Sequence, residues 1–475
     1  MRRAKKSRLK VGQVTATHFD IDTNFIGNSM NAFHLARNGS FTSWVMIAVL
    51  VSSALNFSCG QEYTISVEDT TEHLRFLSSD ELKGRHALSP EITLAEDYIA
   101  SEFTKAGLKP LEGLSDFRQS FGISEYSINS IRATLNGKPL SENSLFGRVF
   151  TDSLVWTSMD ANAYEVAMIS PDESFRARFG ELNRSATSTL VFVDSEHADT
   201  FNRYQQFYSR PSRTMSDQNP SVVYVLAPKN FNPNSSFEIH LTTEKTSFSL
   251  ANVAGYIPGE RTDEIVLFSA HHDHIGIRSV VEGDSIANGA NDNASGVSSV
   301  IQLAHYYSSL AKPERSIYFV TFTAEEMGGY GSRYFSQQLN PDEIVAMFNM
   351  EMIGKPAISG PNSAWITGYD RSSFGQILSD SAPNSVYEFY PDPYPSQNLF
   401  YRSDNATLAR LGVPAHSIST TPIDVDPDYH QVSDELETID LDHLNNTIKA
   451  IARAAKGIIS GVETPTRIDP ETVDR

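Results

Sequence analysis

Residues 264–276 read Glu264-Ile-Val-Leu-Phe-Ser-Ala-His-His-Asp-His-Ile-Gly276. The first half is a short apolar run, which reads as a buried strand. It ends directly in a cluster of imidazoles and a carboxylate, at the place where open α/β sheets present their sites. Three more runs behave alike. Ser316-Ile-Tyr-Phe-Val-Thr-Phe322 stops just before Thr323-Ala-Glu-Glu326, Ile344-Val-Ala-Met-Phe-Asn349 stops before Glu351, and Val413-Pro-Ala-His-Ser-Ile-Ser419 is the fourth. Helical patterns lie between and after them. Residues 294–310 carry Val297, Val300, Ile301, Ala304 and Tyr307 on one stripe, and residues 441–459 carry Leu444, Ile448, Ile451, Ala455 and Ile458. The alternation predicts an α/β fold with a mostly parallel mixed sheet and helices on both faces.

Two further stretches complete the chemistry: Asn288-Gly-Ala-Asn-Asp-Asn-Ala-Ser-Gly296 and Asp428-Tyr-His430. Each motif alone has an ordinary reading, since a Glu-Glu pair is usually solvated and Asn-Asp-Asn is usually a turn. Together they supply His271, Asp292, Glu326, Glu351 and His430 as candidate ligands, with Glu325 to spare. Imidazole and carboxylate without thiolate suit Zn²⁺ and similar divalent ions. Two ions about 3.5–4 Å apart need a shared ligand, and a carboxylate has two oxygens to share. Asp292, on a Gly-flanked turn, is the expected bridge. His271 and Glu351 would complete one ion's shell, and Glu326 and His430 the other. Adjacent carboxylates point apart and rarely both bind metal, so Glu325 is left as a general base able to take a proton and return it to a leaving group.

These motifs resemble the M28 family of metallopeptidases, the co-catalytic zinc aminopeptidases, over roughly residues 70–120 and 250–460. The family pattern runs Ala-His-x-Asp, Gly-Ala-x-Asp-Asn-Ala-Ser-Gly, Ala-Glu-Glu, Asn-x-Asp-Met and Tyr-His. The resemblance implies a zinc-exopeptidase-like fold and two Zn²⁺ ions per chain. It makes His271, Asp292, Glu326, Glu351 and His430 the metal ligands and Glu325 the general acid/base. It gives Asp273 the role of a carboxylate orienting His271. This chain departs from the pattern at Glu351, where the family has Asp, one methylene shorter with the same ligand atom. Arg402-Ser-Asp404 resembles a segment that lines the pocket, so Tyr401 and Asp404 are candidate substrate-binding residues, Tyr401 as a hydrogen-bond donor to an oxyanion. Packing of Phe400 and Tyr401 is the competing expectation. His272 and His274 read as local packing or pocket wall, and Asp434 as a supporting or ordinary loop carboxylate. The implied activity is aminopeptidase action on peptides. A carboxypeptidase, a glutaminyl cyclase on the same scaffold and a non-catalytic peptide-binding relative are the alternatives.

The rest of the chain divides by composition. Residues 60–119 hold a helical segment, with Ile92, Ala95, Ile99 and Phe103 on one stripe, Ser89 and Pro90 at its start and Gly107 at its stop. Leu77-Ser-Ser-Asp-Glu-Leu-Lys-Gly-Arg85 also looks like the leading segment of bacterial M28 peptidases. Residues 120–248, rich in Ser, Asn, Thr and β-branched side chains, are expected to form a β-rich accessory insert, like the protease-associated domains some family members carry. The catalytic domain is expected at 249–462, with a polar, disordered tail at 463–475. The amino-terminal 1–59 carries an apolar core, Trp44 to Leu55, too short for a membrane span and suited to a signal peptide. Cys59, the sole cysteine, follows it, which excludes an intrachain disulfide and resembles a lipoprotein cleavage site. Export to a periplasmic or outer-membrane location is the expectation, with Met30 as an alternative start. A net charge of −20 argues against nucleic acid and against a polybasic membrane surface, leaving a lipid on Cys59 as the expected membrane link and peptides as the partners.

Overall fold

The computed structural model describes residues 63–473, apart from 160–162, 209, 217, 230 and 382–386. The signal-like core and Cys59 lie outside the described residues. The spine is a twelve-stranded sheet. Its principal strands are β1 (Arg118–Leu135), β2 (Phe237–Ile257), β3 (Arg261–His271), β4 (Arg315–Phe322), β5 (Ile344–Met350), β6 (Ser363–Ile366), β7 (Glu388–Pro391) and β8 (Ala415–Ser419). They lie in the order β7-β6-β8-β5-β3-β4-β2-β1. The centre is parallel: β3 pairs with β4 on one side and β5 on the other, and β5 pairs with β8. β2 runs antiparallel to β4 and to β1, so the sheet is mixed.

Alternation along the central strands explains why helices cover both faces. On β3, Val266, Phe268 and Ala270 pack into one core and Leu267 into another; on β5, Ala346 and Phe348 face the first and Met347 the second. The first core is closed by α1 (Val67–Leu77), α2 (Ile92–Lys105), α3 (Ser295–Ser308) and α4 (Leu441–Ala454). Strands buried on both faces read as continuous apolar runs, which is the pattern at 264–270. α2 starts at Ile92 rather than Pro90, because Ser89–Glu91 form a tight entry turn closed by Ile92 N–H to Ser89 O at 3.3 Å. It stops as expected at Gly107, whose φ is 77°, with Gly107 and Leu108 N–H groups bonded back to Thr104 and Phe103 carbonyls.

One expectation is extended and another corrected. The β-rich insert is not strands alone. The strands Leu145–Arg148, Val222–Ala227, Thr189–Asp194 and Glu165–Ile169 form a separate four-stranded sheet, flanked by helices Phe175–Leu182 and Ala198–Tyr208. The long β1–β2 hairpin ties it to the catalytic sheet, and both parts belong to one compact unit. The tail is not loose either. Ile468 and Val473 are buried with Phe335, Leu408 and Val413 in the second core, and Arg467 donates to the carbonyls of Pro341 and Ile344. Its polar composition hid two apolar anchors.

Candidate active site

Every candidate ligand stands at or beyond the carboxyl end of a central strand. His271 closes β3, Glu325 and Glu326 follow β4, Glu351 follows β5, and Asp292 and His430 sit on connecting loops. The loops are stitched to one another. Asp434 accepts the backbone N–H groups of Asn291 and Asp292, both at 2.9 Å. Asp273 accepts those of Glu325 and Glu326 at 3.0 and 3.3 Å. Asn293 Oδ1 accepts from Gly296 and Met352 N–H, holding the Asp292 turn against the end of β5. A Cβ on Gly296 would stand 2.3 Å from that same oxygen, so this position requires glycine. Ala324, Met352 and His430 have φ of 57°, 52° and 58°. Non-glycine residues are rare in this left-handed region, and such strain gathers at functional sites.

Asp292 is shared between two donor sets. Its Oδ1 lies 3.3 Å from His271 Nε2, which is also 3.3 Å from Glu351 Oε1. Its Oδ2 lies 3.3 Å from His430 Nε2, which is also 3.3 Å from Glu326 Oε2. Ligand atoms about 2.0–2.1 Å from a tetrahedral zinc stand roughly 3.3–3.4 Å apart, so both sets have the spacing a zinc ion needs. The structure therefore brings all five candidate ligands together, with Asp292 between the halves. His274 joins the second half, which the sequence reading did not anticipate: its Nδ1 is 2.9 Å from Glu326 Oε1 and 3.9 Å from Asp292 Oδ2. It engages the Glu326 oxygen that His430 does not, at hydrogen-bond length, which suits a group that aims the carboxylate.

The orienting groups differ from expectation in one respect. His271 Nδ1 meets the backbone carbonyl of Asp273 at 3.0 Å, and the Asp273 carboxylate stands off at 3.8 Å. A proton on Nδ1 leaves the Nε2 lone pair for a metal. Asp273 acts on the general-base segment instead, through the two backbone N–H groups it accepts. Glu351 is aimed by Ser403, whose hydroxyl donates to Oε2 at 2.6 Å and accepts from Asn349 Nδ2 at 2.7 Å. Tyr401 and Asp404 do not line the cleft. Tyr401 packs in the second core, with its hydroxyl accepting from Arg371, and Asp404 is buried below the floor. Their neighbours Arg402 and Ser403 line it, with Tyr429, whose ring stacks 4.0 Å from His430. A one-residue offset in a short loop has no signal in sequence.

The cleft concentrates buried carboxyl groups. Burial, then Asp404, Glu351 and Glu326, drive the Glu325 carboxyl well above its usual range, against the pull of His271. Burial also raises Asp404 to about 7. The imidazoles are held charged in compensation: although burial opposes it, Asp292 and Glu326 raise His430 to about 10. Burial works against His271 too, yet Glu351 and Asp292 lift it well above its ordinary value. Such opposed shifts in one cleft mark a site built around cations. Met352, Trp365, Leu399 and Ile423 give the cleft an apolar side.

Residues 252–455 match Peptidase family M28. This region is similar to the M28 metallopeptidases. Leucine aminopeptidase 1 of Trichophyton equinum is 27% identical over 269 residues, 52% of this chain and 67% of that protein. Leucine aminopeptidase 1 of Trichophyton rubrum is 28% identical over 222 residues, 43% of this chain and 57% of that protein. These relatives are fungal, whereas the leading segment suggested bacterial ones. In three dimensions the M28 fold extends further: the aminopeptidase from Aneurinibacillus sp. strain AM-1 superposes with a TM-score of 0.50 at 19% identity, covering 86% of this chain and 96% of that one.

Proposed function

We propose that this protein is a zinc aminopeptidase with two ions per chain, which removes apolar residues from the amino termini of peptides. One observation carries the reading: Asp292 divides its two oxygens between donor sets of zinc spacing, in the lining of a cleft with an apolar side. His271, Asp292 and Glu351 would hold one ion, and Asp292, Glu326 and His430 the other. Bound zinc would supply Lewis-acid polarisation of the scissile carbonyl and acidification of the attacking water. The chain's own residues do the rest. Glu325 lines the cleft, and among the described residues no hydrogen bond engages its side chain; it takes the proton of the attacking water and delivers it to the departing amine. Asp273 fixes the backbone from which Glu325 projects, so the base cannot swing onto the metal side. The apolar side of Met352, Trp365, Leu399 and Ile423 receives an uncharged side chain. The carboxylate surplus favours the cationic amino group of a peptide.

The test pairs elemental analysis with hydrolysis of a free-amine peptide and its amine-blocked twin. The expected result is about two zinc ions per chain and cleavage of the free-amine peptide only. Cleavage of both peptides would favour the carboxypeptidase reading, and a metal-free active preparation would remove the site assignment. We also propose export with lipid attachment at Cys59, supported by the apolar core that precedes it. Loss of membrane association in Cys59→Ser is the expected outcome.

A further inference from the structure

His430 lines the catalytic cleft and also a second, open groove beside it. That groove runs between the strand Gly276–Val281 and residues 430–432. The strand belongs to a hairpin that leaves the His271 loop and returns, through Asp284–Ala287, to the Asp292 turn. Its ladder pairs Gly276 with Ala287, Ile277 with Ile286 and Val281 with Asp284, so residues 278–280 stand outside it. Ile277, Val280 and Val281 are 64%, 70% and 51% exposed. An apolar strand with unladdered backbone, left open to water beside a catalytic site, is a template for another extended chain. Ile277, Ser279 and Val281 all line the groove. Arg278 lines it too, as its sole Lys or Arg, with no ion pair or hydrogen bond among the described residues.

We propose that this groove binds the peptide that follows the scissile bond, in extended form along residues 277–281. The proposal rests on the aminopeptidase reading. Apolar side chains of the departing peptide lie on Ile277 and Val281, while main-chain groups of 278–280 hydrogen-bond its backbone whatever its sequence. Arg278 receives the terminal carboxylate of a short peptide. The groove therefore makes the enzyme sensitive to substrate length and to apolar residues after the cleaved one. Contacts this far from the reacting atoms act alike on ground and transition states, so they lower KM and leave kcat unmoved.

The test compares the zinc-loaded wild type with Ile277→Ser/Val281→Ser and Arg278→Ala. Substrates are leucine para-nitroanilide, which has no downstream peptide, the tripeptide Leu-Val-Leu and its carboxyl-terminal amide. The double variant is expected to lower the ratio of tripeptide to anilide kcat/KM about tenfold, through tripeptide KM. Arg278→Ala is expected to abolish a wild-type preference for the free acid over the amide. Anilide turnover in the same preparations reports folding. An unchanged ratio overturns the subsite, and so does a parallel loss on anilide and tripeptide, which would make the hairpin a support for the metal loops. A wild type that cleaves none of the three overturns the aminopeptidase reading and the subsite with it.

Discussion

At the level of single residues, Glu325 and Glu326 are separated in role by what holds them. Asp273 accepts both backbone N–H groups, but His274 and His430 engage only the Glu326 side chain. Glu325→Gln keeps the shape and the ligands and removes the proton acceptor. Zinc content and melting temperature should stay near wild type, while kcat falls by on the order of 10²–10⁴; near-normal turnover in a zinc-loaded variant would exclude the role. Ser403 bears on the one departure from the family pattern. Glu351 is longer than the expected Asp, and Ser403 with Asn349 fixes where its oxygens go. Ser403→Ala should weaken zinc about tenfold at the His271 side, as read by competition with a chromogenic chelator; unchanged affinity would show that Glu351 needs no such support. Ligand types were legible in sequence because they lie in order beside apolar runs. Ser403 and His274 were not, since what selects them is an atom position rather than a residue type.

At the level of elements, the strands and helices of the catalytic part were readable because burial on both faces leaves long apolar runs, and α3 carries its stripe in plain view. The insert's helices were not: Ala198–Tyr208 buries only Phe201 fully and offers little periodicity. The segment 80–85 shows a different limit. Lys83, Gly84 and Arg85 all have positive φ, and a Cβ on Gly84 would fall 2.5 Å from the Ala287 carbonyl. This close approach drives Arg85, 1% exposed, behind the metal loops. There its guanidinium donates to the carbonyls of Leu77, His272, Asn288 and Gly289, joining the leading segment to the His271 loop and to the start of the Asp292 turn. Sequence showed a helical prelude but nothing of this clamp. Arg85→Met would leave those buried carbonyls unpaired and remove a cation from beneath the carboxylates. Stability to urea should fall by about 3 kcal/mol, with weaker zinc binding, and Arg85→Lys should recover only part of both, lacking the guanidinium fork. Unfolding and zinc titration matching wild type would show the segment to be a passive cover.

At the level of the whole molecule, charge and pH join the site to the stability of the fold. Burial, as the largest cause, raises Asp273 and Asp434 each to about 6 and Asp404 to about 7. A carboxyl raised on folding contributes stability that is full below its ordinary pKa near 4 and lost as pH rises through the folded value. His430, held at about 10 by Asp292 and Glu326 despite burial, contributes stability full below about 6.5 and lost toward 10. Glu326 runs the other way. Burial and Asp292 oppose it, but the imidazoles of His274 and His430 lower it to about 2, so its contribution is complete above about 4.5 and lost only in stronger acid. From about pH 5 upward, then, the raised carboxyl and His430 contributions of the metal-free protein decline while that of Glu326 stays constant. Zinc held as proposed would reverse the balance: it would replace the protons on His271 and His430 and neutralise the carboxylates, so its affinity would rise with pH. Melting of the chelated protein should therefore fall steadily between about pH 5 and pH 9, while the zinc-loaded protein changes less and the gap between them widens. Scanning calorimetry of both forms across that range decides it, and a gap that stays constant or narrows would mean that the buried carboxylates are neutralised by something other than metal.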